Sequence, residues 1–264
     1  MGLMEAVLRI RAKQFLGKLS RRWTFRSERL FGWCFNCFDY YDMLTTFQII
    51  FLGREYRFNP QTPRPRIVDC GSNIGLSILF FKREFPESIV LAFEPDPAAF
   101  AMLSHNVEQN ALRGVEVHNL ALAGAAGSRD LYSDPERPGS TATSLFAECG
   151  FGERRAVSCA RLSDFICDDI DFLKLDIEGA ELEVIEDLVR SGKIQRVHQM
   201  VIEYHPVLFP ARDGYSWLCE TLRNNGFAVE IRSGSYPPVI GSPWAPVTLF
   251  AAKLAGLRRS PAQS

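Results

Sequence analysis

Between residues 66 and 252 the chain alternates short apolar runs with stretches of helical spacing, and this alternation constrains the fold more than any other feature of the sequence. Apolar runs fall at 66–70, 89–94, 115–120, 172–175, 197–203, 227–231 and 247–252, and helical spacing at 75–84, 98–110, 180–190 and 215–225. Short, continuously apolar strands separated by helices imply a largely parallel sheet whose two faces are both covered. Pro97 suits the first turn of its helix, and Gly226 suits the residue just past a helix end. Residues 127–165 are less regular, with Gly139, Gly150 and Gly152 in turns and a hairpin expected to end near Ala160.

At 264 residues and 47% hydrophobic content the chain can bury one sizeable core. Thirty basic against 31 acidic groups leave a net charge of -1, which gives no global attraction for a polyanion and argues against a dedicated nucleic-acid binder. The sequence divides into a basic, aromatic and helical segment over 1–58, a main domain over 59–256 and a disordered tail over 257–264. Pro60, Pro63 and Pro65 make the lead-in to the main domain rigid and non-helical. Within residues 1–45, Arg9, Arg11, Lys13, Lys18, Arg21, Arg22, Arg26 and Arg29 alternate with apolar residues such as Leu8, Phe15, Trp23 and Phe31. Two readings stay open: a basic helix on an anionic membrane surface, or a cap whose apolar side packs on the main domain. The second is preferred.

No apolar run resembles a signal peptide, and the stretch at 47–52 falls far short of the about 20 residues that span a bilayer. The seven cysteines are odd in number and irregular in spacing, which suits a reducing, cytoplasmic compartment. Cys34-x-x-Cys37 has neither a second pair nor a βαβ setting, so it reads as two packed thiols.

Four strand ends carry the chemistry. The first crossover turn, Val68-Asp69-Cys70-Gly71-Ser72-Asn73-Ile74-Gly75, places an acid at the end of a strand and a glycine turn before a helix. Gly71 and Gly75 permit close backbone approach to a ligand, and helix amides face it. A dinucleotide fingerprint would show G-x-G-x-x-G around a pyrophosphate. Here Asp69 would repel a phosphate and attract an ammonium such as that of S-adenosylmethionine. Strand two ends at Glu94, 23 residues after Gly71, near the spacing of about 20 for a carboxylate that accepts ribose hydroxyls. The third end reads Leu173-Lys174-Leu175-Asp176-Ile177-Glu178-Gly179-Ala180-Glu181. Helix N-terminal acids account for Glu178 and Glu181 but not for Lys174 and Asp176 in a buried strand. A fourth end, Glu203-Tyr204-His205, offers a histidine that serves either as a general base or as an orienting, structural group. His105, His118 and His198 have no such setting.

Together these motifs resemble the FkbM family of S-adenosylmethionine-dependent methyltransferases over roughly residues 66–232, most specifically through Lys174-x-Asp176-x-Glu178-Gly179-Ala180-Glu181 beside Asp69-x-Gly71-x-Asn73-x-Gly75 and Phe93-Glu94-Pro95-Asp96. The resemblance implies an α/β, Rossmann-like class I methyltransferase fold, with a mostly parallel seven-stranded sheet and an N-terminal helical segment. It implies cofactor contacts from Asp69, Gly71, Asn73, Gly75 and Glu94, with Asn119 and Ala121 near the adenine. It also implies a hydroxyl acceptor on a small molecule, sugar or lipid. Lys174, Asp176 and His205 are the expected catalytic residues and Glu178 and Glu203 accessory ones, with His205 or Asp176 taking the acceptor's proton. Lys174 either stabilises the oxyanion or positions Asp176. A divalent cation on Asp176, Glu178 and Glu203 is less favoured, because Lys174 can supply positive charge. The competing readings are a nicotinamide-dependent oxidoreductase and a membrane-associated, non-catalytic protein retaining the fold.

Overall fold

The computed structural model describes residues 2–17, 26–137, 139, 143–150, 152–206, 213–233 and 246–254. The elements run α1 (Leu3–Gly17), β1 (Arg26–Leu30), β2 (Trp33–Cys37), α2 (Tyr40–Phe47), β3 (Arg66–Cys70), α3 (Leu76–Glu84), β4 (Ile89–Phe93), α4 (Pro97–Gln109), β5 (Val115–His118), β6 (Ala121–Leu122), β7 (Gly127–Ser133), β8 (Glu153–Ala160), β9 (Ile170–Leu175), α5 (Glu181–Arg190), β10 (Val197–Tyr204), α6 (Gly214–Asn224), β11 (Phe227–Ser233) and β12 (Val247–Lys253). A π turn over Gln48–Leu52 extends α2.

Seven strands form one sheet in the order β11-β12-β10-β9-β3-β4-β5. Every pairing from β5 to β10 is parallel, and β12 alone runs against its neighbours. This is the mostly parallel seven-stranded α/β sheet expected from the sequence. Its order reverses between β3 and β9, the place where open α/β sheets bind ligands beyond the carboxyl ends of their strands. All six residues of β9 are buried, as a central strand covered on both faces requires. The expected hairpin over 127–160 is the antiparallel pair β7–β8, joined by β6 into a small second sheet.

Alternation along the strands sorts side chains between two cores. Phe172 and Ile67 join the cluster that also holds residues of α1, α2 and α3, while Leu173, Leu175 and Val68 join the cluster around α5 and α6. Lys174 and Asp69, two residues on from Phe172 and Ile67, therefore stand on the face covered by the N-terminal segment.

That segment is not helical throughout. A β-hairpin, β1–β2, interrupts it, with a two-residue turn at Phe31 and Gly32 that has positive φ at both positions (53° and 99°), the type I′ geometry that matches strand twist. Glu28 on β1 is almost fully buried, where Arg9 and Lys13 of α1 pair with it. The edge of β2 is satisfied by α4. Asn106 Oδ1 accepts from Asn36 N–H (2.8 Å) while its Nδ2 donates to Asn36 O (2.9 Å). Asn110 repeats the pattern on Cys34 at 2.8 and 2.6 Å. Two amides one helical turn apart thus act as a partner strand. Cys34 is exposed and Cys37 buried, because residues three apart on a strand face opposite ways; the pair cannot share a metal. No helix among the described residues is long and apolar enough to cross a membrane. The expected tail, 257–264, lies outside the described residues.

Candidate active site

Parallel strands deliver their C-terminal ends to one edge, so Gly71 after β3, Glu94 after β4, and Asp176 after β9 meet there with Glu203 near the end of β10. They line a single cavity with Ser72, Asn73, Leu120, Ala121 and Lys174 on one side, and Met43, Thr46, Ile49, Ile50 and Tyr56 of the N-terminal segment on the other.

Glu94 is nearly buried, and its two carboxylate oxygens are held by separate backbone amides: Oε2 accepts from Asn73 N–H at 2.7 Å and Oε1 from Asp96 N–H at 2.9 Å. Each oxygen keeps a further lone pair for a ligand hydroxyl. Burial pushes its pKa up to about 7 against the pull of those two amides. Asn73 adopts φ 46° and donates from Nδ2 to Gly139 O (3.1 Å), bringing the loop after β7 over the turn. Asn119 does not line the cavity; it donates to Glu94 O and Pro95 O at 2.9 and 3.0 Å, so it shapes the loop whereas Ala121 forms wall.

Two glycines owe their place to the protein's own packing. A Cβ on Gly71 (φ 79°) would lie 1.8 Å from Asp176 O, and one on Gly75 (φ 94°) would lie 2.8 Å from Leu103 Cδ1. Gly71 lines the cavity, but the group pressing on it is the β9 loop.

Asp69 departs from the sequence expectation. It is fully buried and absent from the cavity wall. Register pairs it with Lys174 across β3–β9, and its Oδ1 stands 3.4 Å from Lys174 Nζ while Oδ2 accepts from Ser77 Oγ. A carboxylate pointing under the sheet surface cannot meet a ligand's ammonium directly. Its charge instead balances a buried lysine.

Lys174 is 2% exposed. Its Nζ donates to Gly71 O (2.7 Å) and Cys70 O (3.2 Å), and stands 3.3 Å from Asp176 Oδ2. Burial disfavours the ammonium, yet Asp176 and Asp69 more than offset it, and the pKa is held above the ordinary lysine range. An ammonium has three donors, and these acceptors occupy them. Lys174 is therefore a clamp joining the ends of β3 and β9, and its geometry favours positioning Asp176 over meeting an oxyanion.

His205 is clamped as well. Nδ1 lies 3.1 Å from Glu181 Oε1, and Nε2 3.2 Å from Glu178 Oε2. Burial works against its proton, but Glu178 and Glu181 outweigh it and raise the pKa to about 10. The ring holds its proton at neutral pH, which favours the orienting role over the base. Glu178 is pushed to about 7 by burial, which the His205 charge opposes. Glu203 is pushed well above the carboxylate range by burial and then by Asp176.

Asp176, Glu178 and His205 each offer a ligand atom, and these atoms lie within 4.8 Å of one another; His205 takes the place that the sequence reading gave to Glu203.

Two residues of consequence went unread in the sequence. Glu181, taken for a solvated helix acid, is fully buried and accepts from Gly179 N–H at 3.0 Å as well as facing His205. Tyr56 lies in the cavity wall with Lys174 Nζ 5.4 Å from its ring centre. No local motif marks it; it shares the stretch before the proline lead-in with Phe58.

The family model for the methyltransferase FkbM domain matches residues 69–229. The chain is 29% identical over 212 residues to Methyltransferase 1 of Beauveria bassiana, covering 72% of this chain and 82% of that protein. It is 30% identical over 214 residues to the 31-O-demethyl-FK506 methyltransferase FkbM of Streptomyces tacrolimicus, covering 68% and 80%. Among solved structures, a methyltransferase FkbM from Methylobacillus flagellatus superposes with a TM-score of 0.50 at 17% identity, over 77% of this chain and 47% of that one, a likeness of fold. The strand-end motifs, the sheet order and the match over 69–229 agree: this chain is a methyltransferase of the FkbM family.

Proposed function

We propose that the enzyme takes S-adenosylmethionine as methyl donor and methylates a hydroxyl group on a small molecule, sugar or lipid. The observation that carries the cofactor reading is Glu94, a buried carboxylate fixed by two backbone amides at the cavity wall beside the Gly71–Asn73 turn. That arrangement suits ribose hydroxyls, with Leu120 and Ala121 beside the base and Gly71 and Asn73 along the rest of the cofactor. Bound there, the cofactor supplies an electrophilic methyl group.

The chain's own residues then have three tasks. Met43, Thr46, Ile49, Ile50 and Tyr56 close the cavity from the N-terminal side as a cap, excluding water and orienting the acceptor; orientation of this kind is worth about 7–11 kcal/mol of barrier. Asp176, oriented by Lys174, accepts the hydroxyl proton, with Glu203 beside it in the same wall. His205, held between Glu178 and Glu181, fixes the loop that carries Asp176.

A second reading, a divalent cation on Asp176, Glu178 and His205, is favoured by their grouping and opposed by the Lys174 charge already on Asp176. A chelator that abolishes turnover, with magnesium restoring it, would select that reading.

Calorimetry with S-adenosylhomocysteine against NAD tests the cofactor, with binding expected for the first alone. Mass spectrometry of metabolites from cells with and without the protein tests the acceptor. A one-methyl difference on a hydroxyl is expected; a difference on nitrogen or carbon would refute the O-methylation.

A further inference from the structure

Helix α1 is apolar on two sides. Ala6, Val7 and Ile10 are buried, where α1 packs against α2 and the π turn. Away from that contact, Met4, Leu8 and Phe15 are 62%, 64% and 71% exposed, with Arg11 exposed among them. At 3.6 residues per turn these four fall within a stripe about 60° wide. Burying one face in the core leaves the other uncovered among the described residues. Large exposed apolar groups in one stripe mark a contact surface.

Charge identifies the occupant. Residues 1–29 carry eight Lys and Arg against Glu5 and Glu28, a net +6, while the remaining residues sum to −7. Glu28 is already engaged by Arg9 and Lys13, and Arg11 takes part in no ion pair among the described residues. A second copy docked through the same segment would bring +6 against +6, which repels. We propose that α1 docks the protein on an anionic lipid surface. Met4, Leu8 and Phe15 enter the headgroup boundary, and the basic residues meet acidic headgroups.

Co-sedimentation of the full chain with phosphatidylcholine vesicles, with and without phosphatidylserine, tests this. Binding is expected to the anionic vesicles, to weaken as salt rises, and to fall about tenfold or more in the Leu8→Glu/Phe15→Glu variant. Arg11→Glu should weaken it by several-fold. Both changes lie on the exposed stripe, so circular dichroism and S-adenosylhomocysteine binding should be unchanged. Absence of sedimentation with either vesicle overturns the proposal. So does equal binding by the double variant, or a self-associating chain, seen by analytical ultracentrifugation, that the double variant makes monomeric.

Discussion

Glu94 and Gly71 illustrate how single residues set this site. The Glu94 carboxyl has a folded pKa near 7, raised from 4.5 by burial. A raised acid pKa means that this group's stabilisation is full below about pH 4.5 and is lost as pH climbs to about 7. Cofactor affinity runs the other way, since ribose hydroxyls need the ionised acceptor. S-adenosylhomocysteine affinity measured by calorimetry should rise between about pH 6 and 8, and Glu94→Gln should bind about 10–100-fold more weakly with that rise flattened. An equal slope in the variant would remove Glu94 from the ribose site. Gly71→Ala places a methyl 1.8 Å from Asp176 O at φ 79°, and should cost about 3 kcal/mol or more, read as a lower midpoint in urea. Asp176 and His205 separate by what their loss should do. His205, with its pKa raised from 6.5 to about 10, contributes stability that is full below about pH 6.5 and lost as pH rises through about 10. His205→Gln should therefore lose about 3–5 kcal/mol of stability by leaving Glu178 and Glu181 unpaired. Asp176→Asn should keep its fold and lose turnover by about 10²–10⁴-fold. If instead His205→Gln folds normally and is inactive, the two roles are exchanged. The motif residues were legible because each sits at a strand's end, where apolar pattern and charge collide. Their partners were not: Asp69 and Lys174 are 105 residues apart, and only β3–β9 register shows that the acid answers the lysine and not a ligand.

At the level of elements, the strands of the sheet were readable to within a residue or two, because buried strands are apolar without interruption and their helices keep helical spacing. The β1–β2 hairpin was not. Its turn, Phe31-Gly32, lacks the Asn-Gly or Asp-Gly signal, and β1, Arg26-Ser27-Glu28-Arg29-Leu30, hides its inward glutamate among solvated charges. Glu28 becomes intelligible only once α1 brings Arg9 and Lys13 to it. The same long-range logic joins α2 to the loop after β7, where Arg137 Nη2 reaches Asp42 Oδ1 and Oδ2 at 2.6 and 2.8 Å. Phe38 also lies against Gly139, where an added Cβ would meet its ring at 2.0 Å. Arg137 is 44% exposed, so the pair is worth under about 1 kcal/mol to stability. Its effect should be on the roof it fastens. Arg137→Ala is expected to leave the melting temperature within a few degrees while speeding S-adenosylhomocysteine release several-fold in stopped-flow displacement. An unchanged release rate would show that the loop is held by Phe38 and Asn73 alone.

Over the whole molecule, the proline lead-in looks like a domain boundary, yet the core ignores it. One cluster contains Ile10, Phe35, Phe47 and Phe51 from before residue 59 together with Ile67, Phe80, Phe81 and Phe172 from after it. Phe58 stacks on Phe172 at 4.4 Å with rings 8° apart, and Phe51 meets the edge of Phe80 at 5.5 Å. The sheet face bearing Asp69 and Lys174 is the face these aromatics cover, so the segment that walls the cavity also keeps that ion pair dry. Prolines restrict backbone freedom, which composition reports faithfully; where the side chains of the preceding residues pack is settled by tertiary contacts that composition does not encode. The physical expectation is a single cooperative unit. Calorimetry of the full chain should show one transition. A chain starting at residue 59 should lack fixed packing, binding a hydrophobic dye and losing its near-ultraviolet dichroism while keeping much of its helical signal. Two resolved transitions in the full chain, or a truncated chain that melts sharply and binds S-adenosylhomocysteine as the full chain does, would make the segment a separable cap. The roles of Tyr56 and α2 in the site would then have to come from docking and not from a shared core.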